Sequence, residues 1–400
     1  MNLFGFQFDV AVFVSLVLWQ LVVVYTLPVG YWLYEVALTL VKRPTTPSPP
    51  VAWGLEDVQV RILTVDAADV VQRTVDALPE GFDSVLVIAE SPTEIAGDCE
   101  VLVVPEEFEC EARAKGRAIE WARRAHPTDC EYVLYLDEDS VVGELDGIPD
   151  ADVVQFRERP TRTGGLLPFL AEVHRIGFGV EQSAFPFLRV PLYAWGGGVA
   201  VRTSVEDRVG WDVHTVVEDS VFVWRALLNH GATYCLSDTA FENQAPPSVR
   251  AMVGQRRRWL TGTRMSADLL PFDYQLLYTV RDVGWVVSVF APALWALSTL
   301  SLLGVLPVGV RQVLLPEVYI PLSFVLLGFV YLWSLVGLYA YRESVGVGAA
   351  CLLVALTPLV VIVHSVGALY GFVDPATGFD VTEKVVHTAG PERSERPGAE

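Results

Sequence analysis

The sequence predicts an α/β domain built on a parallel sheet and held between apolar helices, and three observations carry that expectation. Short β-rich runs alternate with helical patterns through the middle of the chain, the signature of βαβ units. Four windows without a charged residue, 10–34, 283–306, 318–341 and 345–373, flank that middle, each long enough for the roughly 20 residues a bilayer core requires. The charges concentrate between the first window and the second, where residues 42–282 hold 38 acids and 23 bases. A segment of that size buries a core of its own.

The 400 residues carry 48 acids against 28 bases, a formal net charge of −20, yet are 52% hydrophobic with a mean hydropathy of +0.39. Disorder needs low hydrophobicity and nucleic-acid binding needs a basic stripe, so both classes are excluded. The bases are 25 Arg and only 3 Lys (Lys42, Lys115, Lys384). Acidic, lysine-poor surfaces stay soluble where salt screens charge, and the balance predicts a halophilic source. Cys99, Cys110, Cys130, Cys235 and Cys351 form no Cys-x-x-Cys pair and read as reduced thiols.

The first window leads through Pro28 and Glu35 to Lys42-Arg43, which predicts one span followed by an interfacial stretch, residues 1–43. No positive region precedes the apolar run, which argues against a cleaved signal. If each window crosses once, Lys42, Arg43, Arg264, Arg281 and Arg342 share one side, cytoplasmic by the positive-inside rule. The central domain then faces the cytoplasm, the two chain ends lie outside, three helices fill 283–373, and 374–400 is a polar tail. No Asp, Glu, Lys or Arg lies inside a window, which argues against a transporter. His364 and Pro358 read as packing features.

Residues 44–57 begin with PTTPSPP, a stiff linker, and the domain follows over 58–282. Strands are expected at 58–65, 84–89, 101–104 and 131–136, with helices near 68–78 and 111–125. In parallel sheets ligands bind beyond the carboxyl ends of strands, which singles out Asp66, Glu90 and Asp137-Glu138-Asp139. No GxGxxG or P-loop pattern occurs, which disfavours a dinucleotide oxidoreductase.

Asp137 and Asp139, two residues apart at a strand end, suit one hard cation that bridges to phosphates; a solvated acidic turn is the plainer alternative. Further on, Gly196-Gly197-Gly198 precedes a strand, Trp211-Asp212 follows, and Glu218-Asp219 opens an amphipathic helix. Capping accounts for one acid at a helix start, and here there are two. Gln255-Arg256-Arg257-Arg258-Trp259 lies shortly before the second window. It reads either as a lipid-headgroup patch or as an Arg for a diphosphate with a Trp face for a sugar.

In this order, Asp-x-Asp, Glu-Asp and Gln-x-x-Arg-Trp followed by apolar helices, the chain resembles the processive-type family 2 glycosyltransferases that include cellulose and hyaluronan synthases. LDEDS, GWD, EDSVF, ENQAPPSV and QRRRW are most similar to the egghead-type β-1,4-mannosyltransferases. The resemblance implies a GT-A domain, the Rossmann-like nucleotide-diphospho-sugar transferase fold, with N-terminal and C-terminal transmembrane helices. It implies Mg²⁺ or Mn²⁺ on Asp139 with Asp137, Asp219 of the Glu218-Asp219 pair as general base, and inversion at the anomeric carbon. Donor contacts would come from Asp66, Glu90, Lys115, Arg117, Asp137 and Arg258, and acceptor contacts from Gln255, Trp259 and Trp211. The implied partners are a nucleotide sugar, GDP-mannose or a UDP-sugar, a lipid-linked or glycolipid acceptor, and the bilayer. Glu90 stands where many relatives carry Asp, and Asp66 lacks the family's Pro-x-x-Asn context. Residues 164–193 carry no motif; they either lie on the membrane and guide a lipid or cover the sheet. A processive synthase with an export channel and an inactive scaffold are the competing functions.

Overall fold

The computed structural model describes residues 2–3, 6–7, 10–305, 314–376 and 384–385. A helix, α1 (Val10–Lys42), leads through an extended linker into the sheet. The first strand, β1 (Val58–Thr64), is buried at every position, as a strand covered on both faces must be. Its buried Arg61 is satisfied by Gln59 Oε1 (2.9 Å), Tyr135 Oη (3.1 Å) and the His126 carbonyl (2.9 Å).

The chain continues through α2 (Ala68–Asp76), β2 (Ser84–Ala89), β3 (Glu100–Val103), α3 (Lys115–Ala125) and β4 (Tyr132–Asp137). Next come β5 (Val153–Thr161), α4 (Leu166–Phe178), β6 (Val199–Arg202), α5 (Thr203–Val209), α6 (Glu218–His230), β7 (Tyr234–Gln244) and α7 (Val249–Met265). The seven strands pair in the order β7-β5-β6-β4-β1-β2-β3. β4, β1, β2 and β3 are parallel, β6 runs antiparallel between β4 and β5, and β7 is parallel to β5. One face packs Ile88, Val133 and Val199 against Ile119 and Phe222 of α3 and α6. The other packs Val60, Leu134 and Val154 with Val71 of α2 and Phe241 of β7.

β5 and β7 were not foreseen from the sequence. The outer half of β5 is charged: Glu158 pairs with Arg175 and Arg159 donates to Ser344. The register of β7 shifts between Leu236 and Ala240, which breaks its alternation. The helix expected from residue 111 starts at Lys115, since Ala114 takes a positive φ of 48°.

The apolar helices depart from four simple crossings. α1 is one continuous helix, about 50 Å long at 1.5 Å per residue, and Pro28 in its interior packs against Gly284. The window 283–306 is not one helix: α8 (Phe272–Val287) ends and α9 (Ala291–Leu302) begins after a short turn. α10 (Pro316–Ala340) and α11 (Val347–Val373) follow. Among the described residues three stretches, Ser15–Lys42, Pro316–Ala340 and Val347–Val373, are long and apolar enough to cross a membrane. Both ends of α11 are tied to the sheet domain, by Tyr341 Oη on the Pro160 carbonyl just before it and by Arg257 on Asp374 just after. The expectation that the C-terminal tail lies across the membrane therefore fails, since Lys384 reaches the sheet. Residues 164–193 form α4 and a 3₁₀ segment wedged under the helices. α4 lies so close to α10 that a Cβ on Gly177 or on Gly337 would collide with the other helix's backbone.

Candidate active site

The carboxyl ends of β1, β2 and β4, residues 193–195 just before the glycine run and the start of α6 surround one cavity of about 730 Å³. Asp137 closes β4 and accepts from Lys115 Nζ at 2.6 Å, and that ammonium lies 4.0 Å from Glu218 Oε1. Burial alone would raise the Asp137 pKa, but Lys115, Lys384 and Arg258 outweigh it and hold the carboxyl below its usual range. Lys115 stays charged because Asp137, Glu218 and Asp219 overcome its burial.

Asp219 sits in the first turn of α6. Its Oδ2 accepts the Gly196 amide at 2.7 Å and its Oδ1 the Ser220 amide at 2.7 Å. Burial, then repulsion from Glu218, pushes its pKa up to about 7, against the pull of Lys115. That range suits a proton acceptor. The glycines allow the approach: a Cβ on Gly197 would stand 2.8 Å from Asp137 Oδ2.

Asp139 lies beneath this floor. Its Oδ2 accepts the Gln244 amide (2.7 Å) and Lys384 Nζ (2.6 Å), while Oδ1 is buried with no hydrogen-bond partner among the described residues. Lys384 also lines the cavity, and the neighbouring Val385 backbone exchanges two hydrogen bonds with the Gln244 side chain (2.9 and 3.1 Å). Lys384 was not foreseen as a site residue. The available signal was its rarity, since two of the chain's three lysines meet at Asp137 and Asp139.

The arginine run divides by helical angle. Arg256 is fully buried, paired with Glu172 of α4. Arg257 turns outward to Asp374 (2.6 Å), and Arg258 lines the cavity with Gln255 and Trp259. The Arg256 guanidinium stands 4.0 Å from the Trp259 ring centroid, and that of Arg175 stands 5.5 Å away. Glu90 and Arg117 face the cavity as an ion pair at 2.8 Å. His174 and Arg175 also line it.

Two expected contacts are not made. Trp211 is buried in the core, stacked on Phe222 at 4.0 Å and donating to Glu206 at 2.7 Å, so it does not face an acceptor. The motif works through Asp212 instead, which accepts the Glu111 and Ala112 amides (2.6 and 3.1 Å) and anchors the loop leading to Lys115. Asp66 is exposed and outside the cavity. Thr64, whose hydroxyl donates to Glu138 (2.8 Å) and accepts the Ala67 amide (3.2 Å), turns the chain away there.

Residues 132–341, just over half the chain, match the family described as glycosyl transferase family group 2. The chain belongs to that family. It is a glycosyltransferase, and the matched region begins at β4 and includes Asp137, Asp139, Asp219 and the arginine run. No curated protein matches it in sequence. Among solved structures it is similar to a mannosyltransferase from Pyrobaculum calidifontis in complex with GDP-Man and Mn²⁺. Identity is 14%, with 90% of this chain and 97% of that one covered and a TM-score of 0.52; this likeness shows the GT-A fold. A second similar structure is glucosyl-3-phosphoglycerate synthase from Mycobacterium tuberculosis in complex with Mn²⁺ and uridine-diphosphate-glucose. It is 14% identical over 55% of this chain and 87% of that one, with a TM-score of 0.35.

Proposed function

We propose that this glycosyltransferase is membrane-bound and moves one sugar, with inversion, from GDP-mannose or a UDP-sugar onto a lipid-linked or glycolipid acceptor, as in the egghead-type mannosyltransferases. The observation that carries the reading is the half-buried Asp219 carboxylate, which faces the same cavity as Asp137, Lys115 and Arg258. Asp219 takes the proton of the acceptor hydroxyl. The freed oxygen bonds to the anomeric carbon on the face opposite the diphosphate, the carbon–oxygen bond to that diphosphate breaks, and Lys115 and Arg258 hold the charge released.

Asp137 and Asp139 suit Mg²⁺ or Mn²⁺: two carboxylates at a strand end, one with a buried oxygen lacking a partner among the described residues. No cluster of three or more His, Cys, Asp or Glu able to hold a metal occurs among the described residues; a cation on these two carboxylates would take its remaining ligands from substrate phosphates and water. When bound, such an ion supplies positive charge to the leaving diphosphate.

In this reading α1, the α8–α9 pair and α10 cross the bilayer, and the domain of residues 58–282 faces the cytoplasm beside Arg43 and Arg342. The acid excess and the scarcity of lysine favour a halophilic source, tested by unfolding on dialysis from molar salt. The function is tested by incubating membranes with a panel of radiolabelled nucleotide sugars. Asp139→Ala is expected to lose Mn²⁺-dependent nucleotide binding, and an undiminished Mn²⁺ titration in that variant would defeat the assignment.

A further inference from the structure

The cavity extends past the carboxylates between α1, α4, α8, α10 and α11, and the transfer chemistry does not use that arm. Its wall carries polar atoms that the protein leaves unmatched. Tyr278 Oη, Trp333 Nε1 and His364 Nδ1 are buried, line the cavity and have no hydrogen-bond partner among the described residues. Buried polar atoms are nearly always paired, so three on one cavity wall point to a ligand that supplies their partners.

A fourth group, His174, has its roles set by a chain of hydroxyls. Thr357 Oγ1 donates to the Leu353 carbonyl (2.8 Å), so its bond with Ser334 Oγ (3.0 Å) uses the Ser334 proton. Ser334 then accepts from His174 Nδ1 (2.9 Å). Burial lowers the His174 pKa to about 4, which keeps the ring neutral and leaves Nε2 an acceptor. The guanidinium groups on or behind this wall are engaged, Arg175 by Glu158 and Glu172, Arg281 by Glu181, and Arg256 by Glu172. The arm therefore offers matched donors and acceptors without free positive charge, which suits hydroxyls better than phosphate. The arm also presents hydrocarbon, from Val29, Val330 and Val361 on three helices of membrane-spanning length, beside the Asp282 carboxyl and the Ser288 and Ser365 hydroxyls.

We propose that this arm is the acceptor subsite and that the acceptor is a glycolipid, its sugar hydroxyls on Tyr278, Trp333, His364 and His174 and its chain along Val29, Val330 and Val361. The proposal rests on the transfer reading of the Asp219 end. Its test uses the full chain in lipid nanodiscs and two probes, dodecyl β-D-mannoside and dodecyl β-D-glucoside, each with a diazirine at the chain end. Photoadducts are mapped by peptide mass spectrometry, and GDP and UDP binding is measured in parallel.

The expected result is saturable labelling near residues 25–29, 330–333 or 361–365, suppressed at least fivefold by the matching glycoside without the diazirine and not by dodecyl phosphate. Val361→Phe and Val330→Phe each lower that labelling at least fivefold with nucleotide binding intact. His174→Ala weakens the competition roughly three- to tenfold, the effect of one hydrogen bond. The proposal is overturned by labelling confined to outward residues such as Leu16 and Leu335, by equal suppression with dodecyl phosphate, or by indifference to the Phe variant that retains nucleotide binding. Failure of the parent protein to bind either nucleotide overturns instead the transfer reading beneath it.

Discussion

Gly196→Ala isolates the geometry of the proposed catalytic centre from the stability of the fold. The glycine does not have a positive φ, so alanine meets no backbone strain there. The added Cβ would stand 2.5 Å from Lys115 Nζ, 3.0 Å from Asp219 Oδ2 and 3.3 Å from Asp219 Cβ. Ordinary contact begins at 3.4 Å, so the ammonium must retreat by about 0.9 Å and the carboxylate by a few tenths. The lysine head is the free end of a flexible stem and moves at little cost, but moving it lengthens the 2.6 Å contact with Asp137. Stability should change by less than about 1 kcal/mol, in the range of ordinary mild substitutions. A misplacement of this size costs on the order of 100-fold in rate, about 2.7 kcal/mol of barrier. The assay pairs transfer of labelled sugar into the lipid fraction with thermal unfolding of the same preparation. Gly254→Ala, in α7 with nothing within 4 Å of its Cβ, is the control and should gain roughly 0.5–1 kcal/mol of stability. A Gly196→Ala protein that folds normally and turns over within threefold of the parent would remove Lys115 and Asp219 from the chemistry.

Asp219→Asn should lower turnover by roughly 10²–10⁴-fold. In the parent, activity should fall as pH drops through about 7, where the carboxyl gains the proton it must be free to accept, and a parent profile flat from pH 5 to 8 would contradict the base role. Lys384→Met removes the ammonium 2.6 Å from Asp139 and should tighten Mn²⁺ binding to the nucleotide-free protein by about tenfold, about 1.4 kcal/mol; weaker binding in a manganese titration would refute competition for that oxygen. Glu172→Leu strands the fully buried Arg256 without its counter-charge and should cost about 3–5 kcal/mol, a loss that thermal unfolding would reveal and that a shift under about 1 kcal/mol would deny.

What the sequence made legible is what local physics determines. β1, β2 and β4 are largely buried on both faces, so they read as β-rich runs that are mostly apolar, interrupted in β1 by Gln59 and Arg61, and the acids behind β4 stand where the strand ends. Asp66, behind β1, carried the same signal and misled, because the turn there is governed by the Thr64 hydroxyl. Trp211 misled because an aromatic beside an acid reads alike whether it faces a ligand or stacks on Phe222. β5, β7 and the division of roles among Arg256, Arg257 and Arg258 depend on partners far along the chain, which no local pattern contains.

The approach of Lys384 to Asp139 is equally non-local, yet it left a trace in composition. In a chain that uses Arg for 25 of its 28 bases, a lysine is retained where an arginine would serve differently. A guanidinium grips a carboxylate through a planar two-point fork, whereas an ammonium is a compact point charge on a flexible stem. At Asp137 and Asp139 the cation must leave carboxylate oxygens open to exchange, since the same oxygens are the proposed ligands of a metal that arrives with the donor. Lys115 and Lys384 satisfy that requirement in a way the fork does not, and the scarcity of lysine elsewhere is what makes the pair readable.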